Sequence, residues 1–177
     1  MMYDITQEYF SGRVYPGDPR PVCKRLKSFD AGDLSTVSEV TMQVHAATHI
    51  DAPIHRVRGG KGIAELPLSK CVGDCAVLED AEALAQTNAA RVLIKCGQID
   101  AETARLAVQK GVQFLGVEGQ SVGDRAVHSI LLENEVVVLE GAVLSHVPAG
   151  EYFLFAAPVP FGSCDGAPCR AVLLTKE

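Results

Sequence analysis

The run RVLIKCGQIDAETARLAVQKGVQFLGV, residues 91–117, changes its period twice. Arg91–Cys96 (RVLIKC) is a short, nearly continuous apolar run, the mark of a buried strand. Asp100 can then cap a helix over Asp100–Lys110. Ala101, Ala104, Leu106, Ala107 and Val108 supply its apolar stripe, and Gly111 is placed to end it. Gln113–Val117 (QFLGV) reads as the next strand. Strand, helix and strand in this order are the unit of an α/β protein.

The same alternation extends in both directions. Downstream, a helix is expected near Val127–Glu133 and a strand at Val136–Leu139. Gly150 turns the chain into Tyr152–Ala156, and a last strand is expected at Arg170–Leu174. Upstream, a strand is expected at Cys75–Leu78 after a turn at Gly73-Asp74. Val40, Met42 and Val44 alternate with Thr41 and Gln43, which predicts a half-buried strand over Glu39–Val44. Tyr15-Pro16-Gly17-Asp18-Pro19 is a loop, since two prolines fix φ and a glycine permits a tight turn. The expected fold is therefore α/β: a single compact mixed-sheet domain over residues 1–177, with short helices and some antiparallel pairing.

Length and composition agree. A chain of 177 residues suffices for one domain that buries about 70% of its unfolded surface. With 47% hydrophobic and 21% charged residues it is neither disordered nor a coiled coil. Sixteen Lys+Arg against 22 Asp+Glu leave a net charge of −6, which with no basic stripe speaks against nucleic acid as a partner. No stretch approaches the ~18–20 apolar residues that cross a bilayer, and MMYDITQEYFSG lacks the regions of a signal peptide. A cytoplasmic location without membrane contact is expected. Cys23, Cys71, Cys75, Cys96, Cys164 and Cys169 are then free thiols rather than a disulfide framework.

The chemistry is concentrated in V-H-A-A-T-H-I-D-A-P-I-H, residues 44–55. Five histidines spread evenly over the chain would place about a third of one in an eleven-residue window, and three lie between 45 and 55. Imidazole and carboxylate are the ligands that zinc or manganese accepts. His45, His49, Asp51 and His55 all hold odd positions, which a strand would point to one face. In an ideal strand His45 and His49 would stand ~13 Å apart, too far to share a metal. The chain must bend between them, and Ala46-Ala47 is where it can. A helix would also pair His45 with His49. It is disfavoured by β-branched Thr48, Ile50 and Ile54 and by Pro53.

These residues resemble a known family. H-A-A-T-H-I-D-A-P-I-H is similar to the H-x-G-T-H-x-D-x-P-x-H signature of the cyclase family of metal-dependent hydrolases, which includes bacterial kynurenine formamidase (arylformamidase) and isatin hydrolase. YPGDP, GIAELPLSKCVGDCAVLE, GVQFLGVEGQSVGD, VHSILLENEVVVLEGA and CDGAPCRAVLL extend the likeness over nearly the whole chain. The resemblance implies a swivelling β/β/α domain that assembles as a homodimer or larger homo-oligomer. It implies His45, His49, Asp51, His128 and Glu140 as ligands of one or two divalent metals, Zn2+ or Mn2+, with Asp51 and Glu140 bridging in the two-metal case. It makes His55 the catalytic acid/base. The implied reaction is hydrolysis of an amide, formamide or cyclic amide in a small molecule.

Three departures fall in the expected pocket. Ala47 replaces the signature glycine. Tyr15 stands where arylformamidases carry Trp, and Glu118 precedes Gly119-Gln120-Ser121 in place of an Asp in a T-P-S setting. Tyr15, Glu118 and Ser121 are the expected substrate-binding residues. Arg56, Arg58 and Lys61 form either a cationic rim or a solvated loop, and His146 is expected in a turn. Two other functions stay open: a non-catalytic metal-stabilised module, and a thiol redox protein using Cys71/Cys75 or Cys164/Cys169.

Overall fold

The computed structural model describes residues 1–176. Its strands are β1 (Met2–Asp4), β2 (Val22–Lys27), β3 (Val37–Thr41), β4 (His49–Asp51), β5 (Val72–Leu78), β6 (Arg91–Ile94), β7 (Phe114–Val117), β8 (Val137–Glu140), β9 (Gly150–Phe155), β10 (Gly166–Pro168) and β11 (Val172–Thr175). The α-helices are α1 (Leu68–Cys71), α2 (Ala101–Gln109) and α3 (Arg125–Glu133). Nine strands make one mixed sheet in the order β1-β11-β9-β5-β6-β7-β8-β4-β10, and β2 and β3 form a separate antiparallel hairpin. β5 to β8 run parallel; the strands added at either side pair antiparallel.

The segment 91–117 folds as its periods dictate. Val92 and Ile94 of β6 pack with Leu115 and Val117 of β7, Val138 of β8 and the apolar faces of α2 and α3. The intervening Leu93, Phe114, Val137 and Leu139 face the other way, as period-two alternation requires. They share a core with Leu154 and Leu173 from one end of the sheet and with Ile50 and Ala167 from the other. Strands at opposite ends of the order can share a core only if the sheet curls. Asp100 accepts from Thr103 N at the start of α2, and Gly111 leaves it with φ 73°.

Two elements differ from expectation. Gly73-Asp74 is no turn but the first half of β5, because β9 runs alongside and pairs with residues 72–77. The alternating segment 39–44 is strand only to Thr41, and β3 is exposed throughout. Among the described residues its sole sheet neighbour is β2, so the alternation has no core to face.

Candidate metal centre and active site

β4 lies between β8 and β10, and this sets the site. His49 stands opposite Glu140, the last residue of β8, and Asp51 stands opposite Gly166 of β10. His49 and Asp51 share one face of β4, while Ile50 between them enters the core. Before β4 the chain bends at Ala47, whose φ of 52° is left-handed, and the bend required between His45 and His49 is found there. After β4, Pro53–His55 forms a 3-10 turn. Ring centroids end up 5.2 Å apart for His45 and His49 and 4.3 Å apart for His45 and His55. Thr48 stitches the bend down: its Oγ1 donates to Gly141 O (2.7 Å) and accepts from Gln7 N (2.9 Å). Gly141 is itself left-handed (φ 69°), and a Cβ there would meet Ala47 O at 2.4 Å. α3 supplies His128 from its second turn.

The donor atoms converge on two buried carboxylates. Asp51 Oδ1 lies 2.9 Å from His45 Nδ1 and 3.4 Å from His49 Nε2; Asp51 Oδ2 lies 3.6 Å from His128 Nε2. Glu140 Oε2 lies 3.3 Å from His49 Nε2, and Glu140 Oε1 lies 3.0 Å from His128 Nε2. Asp51 thus reaches His45, His49 and His128, and Glu140 reaches His49 and His128. The outer nitrogens are occupied elsewhere: His45 Nε2 by Asp165 Oδ2 (2.9 Å), His49 Nδ1 by Ala47 O (3.1 Å) and His128 Nδ1 by Asp124 O (2.9 Å). Carbonyl oxygens only accept, so His49 and His128 donate from Nδ1 to these carbonyls and aim Nε2 inward at the carboxylates, where a cation would displace its proton.

These residues fit a divalent cation. His49 Nε2 and Asp51 Oδ2 are buried with no hydrogen-bond partner, an arrangement that costs several kcal/mol unless something else satisfies them. His45, His49 and Asp51 offer donor atoms that all lie within 4.8 Å of one another, as do Asp51, His55 and His128. The electrostatics agree. Burial opposes charge on His45, His49 and His128, yet Asp51 (for His45 and His49) and Glu140 (for His128) overcome it. All three pKa values are raised, that of His49 to about 10. Burial also opposes charge on Asp51, but His45 and His49 hold its carboxyl well below the carboxylate range. Two buried carboxylates recruit whatever positive charge is at hand. His55 goes the other way: burial, with His45 and Arg56 adding to it, lowers its pKa against the pull of Asp51.

A cavity of about 490 Å³ opens onto the cluster, lined by Tyr15, Gln43, His45, His55, Arg56, Gln120, Ser121, Arg125, His128 and Glu140 among others. Tyr15 and Ser121 thus stand at the cavity, although Ser121 Oγ donates to Gly123 O (2.8 Å). Glu118 is turned away, its Oε1 accepting from Leu144 N (2.7 Å). Arg56 reaches the rim, whereas Lys61 pairs with Glu135. His146 is exposed in a turn beside Tyr3. A larger cleft of about 920 Å³ beside α2 contains no histidine or cysteine and offers no comparable chemistry. All six cysteines are free, and burial pushes the thiols of Cys71 and Cys75 up to about 11 and 12 and that of Cys169 higher still, which disfavours redox chemistry.

Several polar residues at the site escaped the sequence reading, Arg125 at the cavity and Asp124 beside His128 among them. Asp165 contacts both His45 and His55, and its only signal was a carboxylate in the quoted run CDGAPCRAVLL. Gln43 and Gln120 line the cavity with a buried, unpartnered Oε1 each. Gln120 had a signal in GVEGQSVGD; Gln43 had none.

Comparison with known proteins agrees with this geometry. Residues 3–102 match the family model described as "Putative cyclase". The curated "Kynurenine formamidase" of Erythrobacter litoralis is 30% identical over 200 residues, covering 97% of this chain and 93% of that one. A solved structure described as a potential metal-dependent hydrolase with cyclase activity superposes with a TM-score of 0.85 at 28% identity, covering 100% of this chain and 98% of its own. Isatin hydrolase A from Labrenzia aggregata shares the fold at 18% identity, with a TM-score of 0.80 and coverage of 99% and 94%.

Proposed function

The chain belongs to the cyclase family, and from that membership we propose that it is a metal-dependent hydrolase of amide, formamide or cyclic amide bonds in small molecules, of the arylformamidase type. The observation that carries this reading is the pairing of unpartnered donor atoms, His49 Nε2 and Asp51 Oδ2, with imidazoles whose outer nitrogens are already taken. His45, His49, Asp51, His128 and Glu140 would hold one or two Zn2+ or Mn2+ ions. When bound, such an ion supplies Lewis acidity that activates water and polarises a carbonyl.

The protein's own groups do the rest. His55, biased toward its neutral form, accepts a proton from the attacking water and returns it to the leaving nitrogen. The cavity beside it admits a small substrate, with Tyr15 as an aromatic wall and Arg56 and Arg125 at the rim for a carboxylate. Assembly as a homodimer or larger homo-oligomer belongs to the same reading. It is supported by the β2–β3 hairpin, an isolated two-stranded sheet that leaves Val22, Leu26, Val37 and Val40 exposed. Light scattering that returned the 18.8 kDa monomer mass would overturn that part.

The test of the activity is metal analysis joined to a chelator-controlled hydrolysis screen over formanilides, N-formylkynurenine, isatin and small cyclic imides. Hydrolysis that is lost with chelator and restored by Zn2+ or Mn2+ is expected. A filled metal site with no hydrolysis of any of them would favour the non-catalytic metal-stabilised module.

A further inference from the structure

Asp165 lies at the edge of the cluster, about half exposed, and one of its oxygens serves two rings. Oδ2 is 2.9 Å from His45 Nε2 and 3.4 Å from His55 Nδ1. Its backbone is fixed: Asp165 O accepts from Ala52 N (2.9 Å), directly between the ligand strand and the His55 turn, and Gly166 next to it pairs with Asp51. Gly166 also clears space for His45, since a Cβ there would lie 3.0 Å from its Cε1 and 2.9 Å from Ile50 O. The carboxylate is thus delivered by a strand pairing and held against the His45 ring from outside.

We propose that Asp165 is a positioning residue for both halves of the site, resting on the metal-hydrolase reading above. It accepts the Nε2–H of His45, which fixes the tautomer that turns the Nδ1 lone pair inward beside Asp51 and His49. It also accepts the Nδ1–H of His55, which leaves Nε2 as the free nitrogen of the base. A carboxylate on the outer nitrogen of a metal-binding histidine orients the ring and raises its basicity. Here one oxygen does this for a ligand and for the base together. A purely structural role predicts little, because a half-exposed ion pair contributes marginally to stability.

The rival assignment makes Asp165 itself a ligand, since it, His45 and His55 also offer donor atoms within 4.8 Å of one another. The geometry favours positioning. His45 Nδ1 faces the same Asp51 oxygen as the buried His49 Nε2, which Glu140 Oε2 also approaches at 3.3 Å. Asp165 faces solvent, and its two imidazoles already lie at hydrogen-bonding distance.

Wild type, Asp165→Ala and Asp165→Asn, each stripped of metal and checked by circular dichroism, are titrated with Zn2+ against a competing chelator. kcat and KM are then measured at saturating Zn2+ on whichever formanilide the wild type hydrolyses. Asp165→Ala is expected to bind the same number of zinc ions about 10–100-fold more weakly. Its kcat should fall while KM changes little. Asp165→Asn, which keeps an acceptor oxygen, should recover most of the affinity. Unchanged affinity and kcat in Asp165→Ala would overturn the proposal, as would loss of a whole equivalent of zinc, which would make Asp165 a ligand. Failure of the wild type to take up zinc would overturn the metal-hydrolase reading itself, and this proposal with it.

Discussion

His55 differs from the other clustered histidines in what faces it. His45, His49 and His128 have an inner nitrogen within 3.4 Å of Asp51 or Glu140, whereas the hydrogen-bonding partner of His55 is the more exposed Asp165. Removing each therefore has a distinct signature. His55→Ala should keep its metal and lose about 10²–10⁴-fold in turnover, the range of general acid-base catalysis. Asp51→Ala removes an oxygen pair that reaches three imidazoles and should lose metal, which elemental analysis would detect. Ala47 poses a different question, because it stands left-handed where the family signature has glycine. Ala47→Gly relieves about 1–2 kcal/mol of left-handed strain. It gives back about 0.5–1 kcal/mol of backbone entropy and about 0.8 kcal/mol of methyl burial. Near-neutrality in urea denaturation follows, and a loss above about 2 kcal/mol would contradict it. Residue types and spacing made His45, His49, Asp51 and His55 legible, since their bend is local. Asp165 was not legible as a site residue: it lies 110 positions from His55, and only the β10–β4 pairing brings it there.

At the level of elements, Glu140 ends β8, and His128 lies in the N-terminal half of α3, a helix whose start is fixed by a local signal. Asp124 caps α3 by accepting from Val127 N (3.0 Å), and its backbone carbonyl accepts from His128 Nδ1. One residue thus closes the first turn and orients the ligand in the second. Asp124→Ala should cost about 1 kcal/mol of stability, the usual worth of an N-cap, and should also weaken zinc binding through a loosened His128. Asp124→Ser, which can still cap, should restore both; a thermal melt and a chelator titration of the two variants would decide. Elements with a strong period were readable: α2 lies one residue inside its expected ends, and β6, β7 and β8 fall within two residues of theirs. The exposure of β3 departs from the expected half-buried strand for a physical reason. Alternation in 39–44 announces two unlike faces, but says nothing about whether anything packs on either, and nothing described in this chain does.

For the molecule as a whole, the cluster sets opposite pH dependences with and without metal. In the metal-free protein the raised pKa values of His45, His49 and His128 add stability that is complete below the reference value of 6.5. It is lost as pH climbs through the folded values, which for His49 means up to about 10. The depressed Asp51 works from the other side: its contribution is present above the reference 3.8 and is lost as pH falls further, through its folded value. Chelated protein should therefore be most stable between about pH 4 and 6.5 and melt at progressively lower temperature toward pH 9. A metal competes with protons for the same nitrogens, so its added stability must grow over that interval. The gap in melting temperature between zinc-loaded and chelated samples should widen from pH 6 to pH 8. A gap that narrowed would mean that the cation does not replace those protons, and that the buried charges of His45, His49 and Asp51 are a structural ion cluster instead.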